Sequence, residues 1–137
     1  MTGILIVTHR QLGEALIDAA AFILGKPPDA VEPVSIDLNE KVDVLRKKIE
    51  DGLKKVRSPQ GTLILTDMFG GTPSNLSYSF LEEGRIEVLS GVNLPILIKA
   101  VSDRDEMDLS RLAEHLETHG KKSISAASGI LKGNKKQ

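Results

Sequence analysis

Cysteine and tryptophan are absent from the 137-residue chain, and aromatic residues make up only 3% of it. The first absence excludes disulfides, thiol nucleophiles and cysteine-ligated metals, and it is compatible with a reducing cytosol. The second leaves an aliphatic core, drawn from the 40% of residues that are hydrophobic. Excess basic charge is missing as well. Eighteen Lys and Arg stand against 19 Asp and Glu, a formal net charge of -1, without the concentrated basic surface that a nucleic-acid partner needs. No apolar stretch approaches the roughly 20 residues that cross a bilayer. The opening Met1-Thr2-Gly3-Ile4-Leu5-Ile6-Val7-Thr8-His9 lacks the basic start of a signal peptide. The expectation is a cytoplasmic protein without direct membrane contact, of a length that suits one domain around one core.

What the chain does have is an alternation of short apolar runs with helical patterns. Gly3-Ile4-Leu5-Ile6-Val7-Thr8 and Thr62-Leu63-Ile64-Leu65-Thr66 are continuous runs of the kind that form buried parallel strands. Leu12, Ala15, Leu16, Ala19, Ala20, Ile23 and Leu24 fall at helical spacing, stopped by Gly25 and Pro27-Pro28. Residues 31–38 alternate as a short strand, and Asn39 is placed to cap a helix carrying Val42, Leu45, Ile49, Leu53 and Val56. Further on, the pattern predicts a helix over 73–81, a strand over 85–89, and a helix from Pro95 through Val101. Leu109, Leu112, Ala113 and Leu116 mark a last helix, ending at Gly120. Residues 123–127 read as a weakly extended strand, and 129–137 as a flexible, polar, Lys-rich tail. The class is therefore α/β, with a mostly parallel sheet and flanking helices over residues 1–128.

In such a sheet the carboxyl ends of the strands share one rim, where ligands and chemistry gather. His9 follows the first of the two apolar runs and Asp67 the second. A carboxylate that accepts the Nδ1 proton of a neutral histidine leaves Nε2 free to attack phosphorus, and it steadies the positive charge that forms on the ring. Directly after Asp67 comes Met68-Phe69-Gly70-Gly71-Thr72-Pro73-Ser74-Asn75, a glycine-rich turn opening a helix. Backbone N–H groups at Gly70, Gly71 and Thr72, with hydroxyls at Thr72 and Ser74, suit the spread charge of a transferring phosphoryl group. The same residues also fit an ordinary strand-to-helix turn or a module that merely holds an anion. The loop lacks the Gly-Lys-[Ser/Thr] element of a nucleotide-binding P-loop. His115-Leu116-Glu117-Thr118-His119 has its Glu one position too late for the zinc-protease pattern and no third ligand, so neither a metal nor a cofactor is expected.

These blocks, together with Gly91-Val92-Asn93-Leu94-Pro95, resemble the IIA component of the mannose-type family of the bacterial phosphoenolpyruvate-dependent sugar phosphotransferase system. The resemblance covers nearly the whole chain. It implies a phosphocarrier in which His9 takes a phosphoryl group from the phosphocarrier HPr, is oriented by Asp67, and passes the group to a IIB component during sugar uptake. It also implies a homodimer, with the C-terminal strand exchanged between protomers, that meets the membrane only through the transporter. One departure stands out. The family usually has glycine after the histidine, and here that residue is Arg10. A guanidinium there is suited to bind the phosphate, to oppose charge on the ring, or to contact a partner. The same acceptor chemistry would also serve a regulatory phosphohistidine protein or a phosphodonor to a dihydroxyacetone kinase.

Overall fold

The computed structural model describes residues 1–133. Four strands form one parallel sheet: β1 (Gly3–His9), β2 (Val31–Ile36), β3 (Thr62–Thr66) and β4 (Ile86–Ser90), in the order β2-β1-β3-β4. The helices are α1 (Leu12–Leu24), α2 (Val42–Lys55), α3 (Thr72–Tyr78), α4 (Leu94–Asp103), α5 (Leu109–Lys122) and α6 (Ala127–Gly133). β1 and β3 are central and carry apolar side chains on both faces, which is why their sequences run unbroken rather than alternating. Ile4, Ile6, Leu63 and Leu65 face one way, onto Ala20 of α1, Ile96 and Leu97 of α4, and Leu112 and Leu116 of α5. Leu5, Val7 and Ile64 face the other way, onto Leu45 and Ile49 of α2 and Leu76 of α3. The result is three layers around an aliphatic core, as the scarcity of aromatics requires.

The chain leaves β1 toward β2 on one side and then crosses back to β3 on the other. Strand order reverses between β1 and β3, so a crevice opens at their carboxyl ends. Short-range chemistry supports this layout. Gly25 adopts φ +84 and ends α1, its N–H donating to the Ala21 carbonyl. Asn93 caps α4 by accepting from Ile96 N–H, and Pro95 sits in the first turn. At the opposite end of the sheet, Arg104 is 4% exposed and donates to the backbone carbonyls of Asp29, Thr2 and Ala30. Burial pushes this guanidinium's pKa down from its ordinary value.

Several expected boundaries are corrected. Lys41, not Asn39, occupies the N-cap of α2, and it does so without a side-chain bond; Asn39 is instead turned back by its N–H to Asp37. α3 stops at Tyr78 rather than running through residue 81. The strand expected at residues 123–127 does not form. Ser123 ends α5, 124–126 have no regular structure, and Ala127–Gly133 is helical, which also replaces the first part of the expected flexible tail. Residues 134–137 of that tail lie outside the described residues. No strand of the sheet pairs with residues 123–127, so no ladder there satisfies a strand's N–H and C=O groups.

Arg10, immediately after β1, has φ +47, a left-handed conformation that costs a side-chain-bearing residue about 1–2 kcal/mol. Arg10→Gly removes this strain but gives the unfolded chain extra freedom, which offsets part of the gain. The expected net stabilisation is about 0.5 kcal/mol, read as a higher urea midpoint. A lower midpoint would mean that contacts of the Arg10 side chain outweigh the strain.

Candidate active site

The last pair in the β1–β3 register is Val7 with Thr66. Asp67 is the next residue on one strand, and His9 lies two further on the other. From this offset one carboxylate oxygen reaches the histidine twice. Asp67 Oδ2 accepts from the His9 backbone N–H at 2.9 Å and lies 2.8 Å from the ring Nδ1. Asp67 Oδ1 accepts from Met68 N–H at 3.1 Å. A carboxylate only accepts, so in the neutral ring Nδ1 is the nitrogen that carries hydrogen and Nε2 holds the lone pair. Asp67 is largely withdrawn, with its side chain 10% exposed, whereas that of His9 is 35% exposed. The pair is anchored below and open above.

The glycine loop closes over the ring's edge. A Cβ built on Gly71 would stand 2.9 Å from His9 Cε1 and 3.5 Å from Nε2. The bare Gly71 backbone thus packs beside the reactive nitrogen. Gly70 has φ +85, which a glycine adopts at no steric cost. Thr72 opens α3, whose first N–H groups have no partner within the helix and point to the same rim.

One expected contribution needs restating. Ser74 does not offer its hydroxyl to the crevice. Its side chain is fully buried, and Oγ donates to the Met68 carbonyl at 2.5 Å within a cluster formed with Thr66, Ser90 and Tyr78. Arg10 is exposed and lines a separate depression with Asp37, Glu40 and Lys48, whose wall includes none of residues 70–74. His115, on α5, is held by Asp103 Oδ2 at 2.8 Å, a bond that lowers the Asp103 carboxyl's pKa below its ordinary range. Among the described residues no group of three His, Cys, Asp or Glu could hold a metal.

Thr8, beside His9 on β1, carries no chemistry that singles it out in the sequence, yet it ties the end of β1 to α1. Its buried Oγ1 accepts from Gly13 N–H at 2.9 Å and pins α1 against the end of β1. A threonine five residues before the first turn's free N–H was the available signal, since hydroxyls serve as acceptors there. Ser90, one strand over, carried no such signal.

The fold and the site define a parallel α/β protein with a histidine–aspartate pair at the sheet's switch point and a bare glycine backbone at the ring. The family described as the PTS system fructose IIA component, EIIA-man, matches residues 3–117, and the chain belongs to it. The chain is 31% identical over 132 residues to the fructose-specific EIIA component of Bacillus subtilis, covering 96% of this chain and 90% of that protein. It is 30% identical over 128 residues to the mannose-specific EIIAB component of Escherichia coli K12, of which it covers 39%. The crystal structure of EIIA from Streptococcus agalactiae superposes with a TM-score of 0.83 at 26% identity, over 93% of this chain and 98% of that one.

Gly71 has φ -89, which any residue can adopt, so Gly71→Ala tests the ring contact alone. It is expected to change stability by less than about 1 kcal/mol while displacing the ring and slowing phosphate uptake by about tenfold or more. Equal losses in thermal melting and in uptake would make the glycine merely structural.

Proposed function

We propose that this protein is a phosphocarrier that accepts a phosphoryl group from phospho-HPr on Nε2 of His9 and passes it to a IIB component in sugar uptake. The observation that carries this reading is the double acceptance by Asp67 Oδ2, which fixes both the backbone and the tautomer of His9. In the transfer, the Nε2 lone pair forms the bond to phosphorus while the donor's bond to phosphorus breaks and its electron pair leaves with the donor. The hydrogen stays on Nδ1. The positive charge that arrives on the ring lies against Asp67, and the three peripheral oxygens meet the N–H groups around Gly71 and Thr72. The reverse sequence delivers the group to the next acceptor. Met68 and Phe69, 54% and 79% exposed beside the ring, give the crevice an apolar lip suited to a protein partner rather than to a free sugar.

Incubation with phosphoenolpyruvate, enzyme I and HPr, followed by intact mass measurement, tests the reading. One phosphoryl group, labile in acid and stable in base, is expected on the parent protein and on His115→Ala and His119→Ala. His9→Ala should take up none. Acid-labile phosphate on His9→Ala would overturn the assignment.

The working unit in this proposal is a homodimer. Ile124 and Leu131 are 79% and 76% exposed, and β4 is an outer strand of the sheet; both features suit addition of the C-terminal segment to a second copy. Removing residues 122–137 is expected to shift sedimentation from dimer to monomer. An unchanged dimer would exclude this segment from the interface.

A further inference from the structure

The loop that brings Gly71 to the His9 ring has little to hold it by packing. Met68, Phe69 and Gly70 are all exposed, and Phe69 meets Tyr78 only at a tilted ring separation of 6.3 Å. Its backbone is instead fastened at Met68, from both sides. The Met68 N–H donates to Asp67 Oδ1 at 3.1 Å, and the Met68 carbonyl accepts from Ser74 Oγ at 2.5 Å.

Counting hydrogens orders the cluster behind Ser74. A carbonyl can only accept, so the single Ser74 proton goes to Met68. Ser74 Oγ then accepts from Thr66 Oγ1, 2.5 Å away, or from Ser90 Oγ, 3.0 Å away. Thr66 Oγ1 donates to Ser90 Oγ at 2.8 Å, and the Tyr78 hydroxyl stands 3.1 Å from Ser90. With its proton on Ser90, Thr66 leaves Ser90 to donate to Ser74 and Ser74 to the loop; without Ser90, Thr66 Oγ1 is free to donate to Ser74 in its place. Buried chains of this kind stiffen what they end on.

We propose that Ser74 is a positioning residue for phosphoryl transfer: it fixes the Met68 backbone, and through it Asp67 and the His9 ring. The proposal rests on the phosphocarrier reading. Ser74 never touches the phosphoryl group, because its side chain is fully buried beneath the loop. It differs from Ser90, which shares the same hydroxyl cluster but makes no bond to the loop. That contrast supplies the control.

The test compares Ser74→Ala with Ser90→Ala in the full chain. The 15N shifts of the His9 ring in the unphosphorylated protein report the Nδ1–H tautomer. Ser74→Ala is expected to lower its share, and Ser90→Ala to leave it as in the parent. With phospho-HPr as donor, Ser74→Ala should lose between about tenfold and a hundredfold in kcat at an unchanged KM, since misplacement of reacting groups falls on the transfer step. Ser90→Ala should cost stability only. Should Ser74→Ala fail to fold, Ser74→Cys keeps the volume with a weaker donor, and an intermediate shift of both readouts is expected. A parent-like tautomer and rate in the folded Ser74 variant, or equal effects of the two alanine substitutions, would overturn the proposal. A parent protein that takes up no phosphate would instead sink the phosphocarrier reading, and the tautomer comparison would still decide whether Ser74 positions the ring.

Discussion

The double acceptance at Asp67 Oδ2 is the constraint on which the site depends. One oxygen receives both the backbone N–H and the ring Nδ1 of His9, so the residue's main chain and its imidazole cannot move independently. An imidazole fixed only through its ring could swing about its side-chain torsions. Here the same carboxylate holds the pivot and the ring, and in the neutral imidazole it also decides which nitrogen keeps its lone pair. Charge-assisted bonds of this type are among the stronger ones in proteins, and the low exposure of Asp67 limits competition from water.

The fold supplies that geometry at its most rigid place. β1 and β3 are adjacent central strands whose apolar side chains are entirely enclosed, so the offset between His9 and Asp67 is set by a sheet register rather than by a loop. Groups carried on the ends of regular elements keep tighter positions than groups on loops alone. The glycine loop is the one mobile-looking part of the constellation by composition. Its attachment through Met68 to Asp67 and Ser74 compensates for the lack of buried side chains. The second histidine–carboxylate pair, His115 with Asp103, has the same bond length at one contact but no glycine backbone against the ring and no backbone bond from the histidine to its carboxylate among the described residues. A histidine beside an aspartate does not by itself make a carrier site.

Much of this was legible in the sequence, and for identifiable reasons. The buried strands announce themselves as unbroken aliphatic runs, and parallel pairing places their ends on one rim, so His9 and Asp67 could be brought together on paper. Gly71 could be linked to the site by its lack of a side chain, but its contact with the ring edge is a three-dimensional fact. Ser74 departs from its expected role because spacing along a nascent helix does not say which side faces the crevice; its hydroxyl turns inward to the Met68 carbonyl. The Asn39 cap failed for a similar reason, since a polar residue near a helix start can be used by the preceding turn instead. Residues 123–127 illustrate a different limit. A strand at a sheet edge is defined by its neighbour, and weakly extended spacing does not say whether a neighbour is there.

The central claim is that Asp67 leaves Nε2 of His9 as the nitrogen that carries phosphorus. Correlation of 15N with 31P in the phosphorylated protein tests it directly, by showing which ring nitrogen is bonded to phosphorus. The account expects coupling to Nε2, with Nδ1 still bearing its hydrogen toward Asp67. Phosphorus bonded to Nδ1 would require that contact to be broken on phosphorylation, and it would contradict the account.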